Sequence, residues 1–321
     1  MRSMLCQALL VAVCCIDPAA AQVYPNRPIK IIVGPSPDVF SRIVAEHLRE
    51  VWGQPVIVEP RPGAGGKLAA TAVGTAPPDG YTLLFATPTY TLNTAMGVAT
   101  YDLMNEFEPV AIIGLISYAL VTHSDLPVRS AGELVAHAKT HPGVLNCASA
   151  GIGTVPHLAC EFLNKSAGVS IVHVPYRDVN SAMMATVGGV TQMFFGVSTN
   201  AKVQIDTGAL NGLAVSTAER TLLLPTLPTM VESGFPDFVM PGWGGLIAPA
   251  GTPKDTLGKL NLEIRHAVGR SDIQRRLIDV GMEPPPPYSP RELKDFIRDD
   301  IARWTQFVAT IGIDKLKGEL Q

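Results

Sequence analysis

Residues 29–66 read IKIIVGPSPDVFSRIVAEHLREVWGQPVIVEPRPGAGG, and the fold is decided by this stretch. Ile29 to Val33 is a short apolar run rich in β-branched residues, the composition of a strand buried on both faces. Val39, Ile43, Val44, Leu48 and Val51 then recur at helical spacing as far as Trp52, and Gly53 ends that helix. Val56 to Val58 gives a second strand. The Gly63-Ala64-Gly65-Gly66 turn follows, read as a close approach of helix to sheet rather than as a binding loop, and then a short helix from Leu68 to Thr75. Tyr81 to Ala86 is a third strand. A β-α-β-α-β order predicts a mostly parallel sheet flanked by helices, with right-handed crossovers.

Beyond this unit, Pro109 to Thr122 is an almost unbroken apolar run, too short to span a bilayer and read as buried extended chain crossing between two lobes. A second alternating series follows. Ser130 and Glu133 form a capping box for a helix to Lys139. Strands are expected at Leu145–Ser149, Ile171–Val174, Met193–Phe195 and Leu213–Ser216, with helices at Pro156–Lys165 and Ser181–Val187. Three helices close the chain, capped at Thr252-Pro253, at Ser271 with Gln274, and at Ser289-Pro290-Arg291-Glu292. To reach them the chain crosses back near Trp243 to Ala250. Two α/β lobes with a cleft and a two-crossing hinge result, the first from residues 22–115 plus 252–321 and the second from 116–251.

Upstream, Arg2, the apolar run Met4 to Cys15 and Ala19-Ala20-Ala21 read as an export signal over residues 1–21, with cleavage near Ala21. Lipoprotein processing is disfavoured, because Val13 precedes Cys14 where a small residue is wanted. Of the five cysteines only Cys147 and Cys160 lie beyond this segment, and they are expected as two separate buried thiols. A net charge of −3 offers no basic field, so no nucleic acid partner is expected. With 47% hydrophobic and 17% charged residues the chain is globular rather than disordered.

Gly151-Ile152-Gly153-Thr154 follows a strand and opens a helix, where bare amides and the positive helix end accept an anion. Pro156 occupies the third glycine position of a dinucleotide fingerprint, and no acidic residue follows at the ribose distance, so a carboxylate suits the turn better. A tight turn that needs glycine is the structural alternative. His157, in the first turn of that helix, faces the same anion or serves as a packing or capping residue. Thr87-Pro88-Thr89 places hydroxyls at the carboxyl end of a strand, where open α/β sheets bind ligands. His137 and His141 stand four apart but lack the neighbouring Glu of a metalloprotease, so a solvated helix face is preferred and no metal is expected. No P-loop, G-x-S-x-G elbow or nucleophile–histidine set emerges, which points away from catalysis.

Several strings together resemble one family, the Bug-type (TctC-like) extracytoplasmic solute receptors of tripartite tricarboxylate transporters. In the first half they are Tyr24-Pro25 to Pro28-Ile29, Gly53 to Val56, Glu59 to Gly66, Pro78-Asp79-Gly80-Tyr81 to Leu84, Tyr101-Asp102 and Phe107 to Val110. In the second they are Ser149 to Leu158, His173 to Tyr176, Leu213 to Val215, Leu224-Pro225 to Pro228-Thr229, Gly234, Trp243 and Ala248 to Pro253. Their order and spacing make the set specific where each alone is weak. The resemblance implies a type II periplasmic binding protein fold without enzymatic activity, cofactor or metal. It further implies a monomer that holds a small carboxylate between its lobes and delivers it to the large and small integral subunits of a membrane transporter. An alternative of the same build presents the carboxylate to a membrane sensor kinase.

Family members bind the ligand carboxylate through backbone groups and water on two loops. The second is intact here as Ser149, Ala150, Gly151, Gly153 and Thr154. The first departs from the pattern: relatives carry a Pro and paired glycines before the Asp matching Asp38, whereas this chain reads Gly34-Pro35-Ser36-Pro37-Asp38. Ser36 and the Gly34 backbone are expected to replace the missing donors. Pro175-Tyr176 and Phe195-Gly196 are expected to line the cleft on the second lobe, by analogy with the family.

Overall fold

A computed structural model of the chain describes residues 24–285 and 288–312; the export segment at residues 1–21 lies outside them. The chain begins with β1 (Ile29–Val33), α1 (Val39–Trp52), β2 (Val56–Pro60), α2 (Lys67–Gly74), β3 (Thr82–Ala86), α3 (Pro88–Ala95) and β4 (Phe107–Ile116). It continues through β5 (Tyr118–His123), α4 (Ala131–Thr140), β6 (Asn146–Ser149), α5 (Val155–Ala167), β7 (Val172–Pro175), α6 (Val179–Val187), β8 (Met193–Val197), α7 (Ser198–Asp206) and β9 (Leu210–Val215). It ends with β10 (Gly242–Pro249), α8 (Lys254–Gly269), α9 (Ser271–Asp279), β11 (Met282–Glu283) and α10 (Pro290–Ile311).

Two sheets result, ordered β11-β4-β10-β3-β1-β2 and β7-β6-β8-β5-β9. The three strands of each β-α-β series are parallel, as their helical crossovers require. The strands beside them run antiparallel: β10 to both β3 and β4, and β5 to both β8 and β9. The sheets are therefore mixed, and in both the antiparallel neighbour is the strand that has just crossed from the other sheet. The apolar run at 109–122 divides at Ser117, with β4 in the first sheet and β5 in the second.

The return crossing comes earlier than Trp243. The Met240 amide still bonds to Ser216 O, 2.8 Å, on the second sheet's side, while Gly242 already pairs with Ile116 of β4. Residues 242–249, expected with the second lobe, are thus a strand of the first sheet. All eight are buried, a pattern that only an interior strand satisfies.

The expected helix caps are realised unevenly: α8 begins at Lys254 with Pro253 as its N-cap, and Thr252 Oγ1 donates to Pro249 O instead of capping. Ser130 Oγ accepts from the Glu133 amide at 3.1 Å, although the Glu133 carboxylate reaches the Arg129 amide instead of closing the box. Ser289 and Glu292 form the complete reciprocal pair at the start of α10. Ser271 does not cap: it is the first helical residue, and the Gln274 amide bonds to Arg270 O.

α10 spans both halves. Leu293 and Ile297 pack on the first sheet, while Phe307 meets Phe162 of α5 with ring centroids 4.5 Å apart. Between them Asp300, 5% exposed, accepts from Thr91 Oγ1 of α3 at 2.5 Å, Trp243 Nε1 of β10 at 3.0 Å and Trp304 Nε1 at 3.2 Å. One carboxylate thereby joins helix, hinge strand and strap.

Candidate ligand site between the two sheets

The carboxyl ends of the parallel strands in the two sheets meet, and their loops touch. Gly63, Ala64, Gly65 and Gly66 all have positive φ, a conformation that glycine adopts without steric cost. The reason is proximity as well as turn geometry: a Cβ on Gly65 would stand 2.5 Å from Ile152 O, a carbonyl of the opposing loop. The segment read as a simple turn is therefore part of the junction. Its signal was available in the glycine run, but the strand end it faces depends on tertiary structure. A hydrogen bond across the junction runs from the Val179 amide to Pro35 O, 3.3 Å.

The 149–154 loop is folded on itself. Ser149 Oγ accepts from the Gly151 amide at 3.1 Å and lies 2.6 Å from His173 Nε2, while Thr154 Oγ1 donates to Gly151 O at 2.7 Å. The Gly153 amide donates to His157 Nδ1 at 3.3 Å, which leaves the ring proton on Nε2. Two amides expected to meet the ligand thus have internal acceptors in this closed arrangement. His157 is fully buried, its ring 4.1 Å from that of His173, so it braces the loop from behind instead of facing an anion. Ala150 is also buried.

Behind this loop Cys147 and Cys160 are joined as a disulfide with Cα atoms 6.2 Å apart, correcting the expectation of separate thiols. β6 and the second turn of α5 bring the two Cα atoms within bridging range, a distance that spacing along the chain does not encode. The bond fixes strand to helix on either side of the Gly151–Thr154 turn.

Of the first-loop residues, Gly34 is buried against the Tyr90 hydroxyl and Ser36 is partly exposed at the junction. Asp38 is drawn away: its carboxylate pairs with Arg42 one helical turn on, 2.6 Å and 3.0 Å. Pro175 is exposed at the end of β7, and Tyr176 is half-buried with its carbonyl beside Gly151. Phe195 and Gly196 do not line a cleft. β8 is the middle strand of its sheet and wholly buried; Phe195 stacks on Phe238 at 5.2 Å, and Gly196 packs under Met183 and Phe194.

Thr87 and Thr89 are buried where β3 passes into α3, a helix that opens with Pro88 at its first position and to which the sequence analysis assigned no element. Thr87 is its N-cap, yet the Thr87 side chain makes no capping bond. Among the described residues its Oγ1 has no hydrogen-bond partner, nor do Tyr90 OH, Asn93 Oδ1, Ser41 Oγ and Ser198 Oγ. An unpaired buried polar group costs about 1–3 kcal/mol, and Thr122 Oγ1 and His123 Nδ1 bring the number among the described residues to seven. Burial, aided by neighbouring Tyr101, holds the Tyr90 phenol well above its ordinary range and keeps it protonated. No group of three or more His, Cys, Asp or Glu suited to a metal occurs among the described residues.

Two mixed sheets, crossed twice by the chain and meeting through glycine loops at their strand ends, define a bilobed periplasmic binding protein of type II. Residues 40–313 match the family described as "Tripartite tricarboxylate transporter family receptor". The chain belongs to that family, whose members are non-enzymatic periplasmic solute receptors. It is 32% identical over 307 residues to Protein BugT of Bordetella pertussis, covering 94% of each chain. Among solved structures, Rpa4515 of R. palustris with adipate is similar at a TM-score of 0.86 and 29% identity, covering 90% of this chain and 98% of that one. MatC (Rpa3494) of Rhodopseudomonas palustris with bound malate gives 0.84 and 30%, covering 89% and 100%.

Proposed function

We propose that this receptor captures a small carboxylate between its two sheets and hands it to the large and small integral subunits of a tripartite-type transporter. The observation that carries the reading is the junction itself: opposed glycine loops in contact, with buried hydroxyl and amide atoms beside them that lack partners. A carboxylate accepts from the Thr87 and Tyr90 hydroxyls, whereas Asn93 Oδ1, itself an acceptor, calls for a donor elsewhere on the ligand. Adipate and malate on two relatives support the same class of ligand. Gly34, Ser36, Thr87, Thr89 and Ala150 are the residues proposed to meet it, with the internally bonded Gly151–Thr154 turn as the wall beside them. Ligand touching both halves favours the closed form by its differential affinity, and the membrane subunits read that closure.

Thermal shift against a panel of mono-, di- and tricarboxylates tests the reading. A binder at 100 times its dissociation constant adds about 2.7 kcal/mol, a rise of roughly 5–10 °C for a protein of this size. A flat response across the panel sinks the carboxylate. Uptake of the identified acid that persists in cells lacking the receptor sinks the transporter.

A further inference from the structure

We infer that α3 supplies a side-chain reading face at this site, with Tyr90 and Asn93 selecting a carboxylate that carries a hydroxyl beside it; this rests on the receptor reading above. Tyr90 and Asn93 are spaced by three, which places them on one face of the helix, and Thr87 is the N-cap at its start. All three are buried, and each presents a polar atom without a partner among the described residues. They meet both lobes. Tyr90 sets its hydroxyl against Gly34 and its ring against Gly66, where a Cβ would come within 3.2 Å. Asn93 donates from Nδ2 to Gly65 O at 2.8 Å, which fixes the amide and turns Oδ1 onto Gly153 of the opposite loop.

The chemistry of the three atoms is unequal. The hydroxyls of Thr87 and Tyr90 can donate to a carboxylate, but Asn93 Oδ1 only accepts. A bare carboxylate leaves it unsatisfied, so its complement is a ligand N–H or O–H. An ammonium would need a counter-charge, and the loop carboxylates are engaged: Asp38 by Arg42, and Asp178 by Arg177 and the Ser181 amide. A neutral hydroxyl therefore fits best. Tyr90 also stands in for the donors lost with the shortened first loop, since its hydroxyl lies directly against Gly34.

Calorimetric titration with succinate, L-malate and L-aspartate, and with glutarate, 2-hydroxyglutarate and L-glutamate, isolates one substituent in two chain lengths. The wild type is expected to bind the hydroxy acid of at least one trio tenfold or more tighter than its deoxy and amino counterparts. Tyr90→Phe, which keeps the ring, should weaken hydroxy and deoxy acids alike by about tenfold. Asn93→Ala should collapse the hydroxy preference to within threefold, and the isosteric Asn93→Asp should move it towards the amino acid, with unliganded melting confirming that each variant folds. A wild-type preference below threefold, a preference that survives both Asn93 variants, or full affinity in Tyr90→Phe overturns the inference. Equal binding of deoxy and hydroxy acids leaves the receptor reading standing, whereas no binding of any probe removes both.

Discussion

Replacing Gly65 by Ala separates closure from folding. Gly65 sits at φ 58°, so the substitution forces a side chain into the left-handed region in every state of the protein, at a cost of about 1–2 kcal/mol. The new Cβ also stands 2.5 Å from Ile152 O, a backbone atom of the opposing loop that cannot rotate away. That overlap exists only when the halves meet; overpacking of this kind costs on the order of 1–3 kcal/mol. The first term lowers the melting temperature of the unliganded protein by roughly 2–8 °C. The second penalises the closed form alone, and at about 1.4 kcal/mol per decade it weakens ligand binding by roughly 5- to 150-fold. Calorimetric affinity together with unliganded melting reads both terms. A variant that melts lower yet binds within twofold of wild type would refute the claim that these loops meet on closure.

Three further outcomes follow from the described geometry. In protein lacking residues 1–21, thiol titration under denaturing conditions should find no free cysteine, and reduction should lower stability in urea by about 3 kcal/mol; two reactive thiols would contradict the Cys147–Cys160 bond. Asp300→Ala leaves Thr91 Oγ1, Trp243 Nε1 and Trp304 Nε1 without their buried acceptor and should cost about 1–3 kcal/mol, with less than about 0.5 kcal/mol refuting the hub. Burial raises the phenols of Tyr24, Tyr90, Tyr101 and Tyr118, so the unfolded chain loses their protons first: stability is intact below pH 10 and falls as the pH rises beyond it. Absorbance at 295 nm should show these four ionising only with unfolding, and a reversible titration near pH 10 in folded protein would count against it.

Elements carried by strong apolar periodicity were legible in advance. β1, α1, β3 and the crossing at 109–122 needed only the pattern of Ile, Val and Leu. β10 was missed as a strand of the first sheet because three of its first four residues are glycine, which hides an interior strand from a propensity reading. α3 and α7 escaped for the opposite reason, their threonines, serine and asparagines being turn formers that tertiary packing overrides. At the site, loops could be located but not the direction of side chains. Phe195 looked like a strand end and lies in the core, Asp38 spends its charge on Arg42, and His157 turns inward. Tyr90 and Asn93 were invisible without α3, though their spacing of three was present in the sequence.

The placement of β10 has a bearing on biogenesis. The second sheet is assembled from a contiguous stretch of chain, whereas the first cannot place β3 beside β4 until residues 242–249, synthesised after the entire second sheet, arrive between them. Its completion, though not the pairing of β1 with β2 and β3, waits on contacts of very long sequence separation, a slow class of event. The second sheet is thus complete in the chain before the last strand that the first sheet needs has been made.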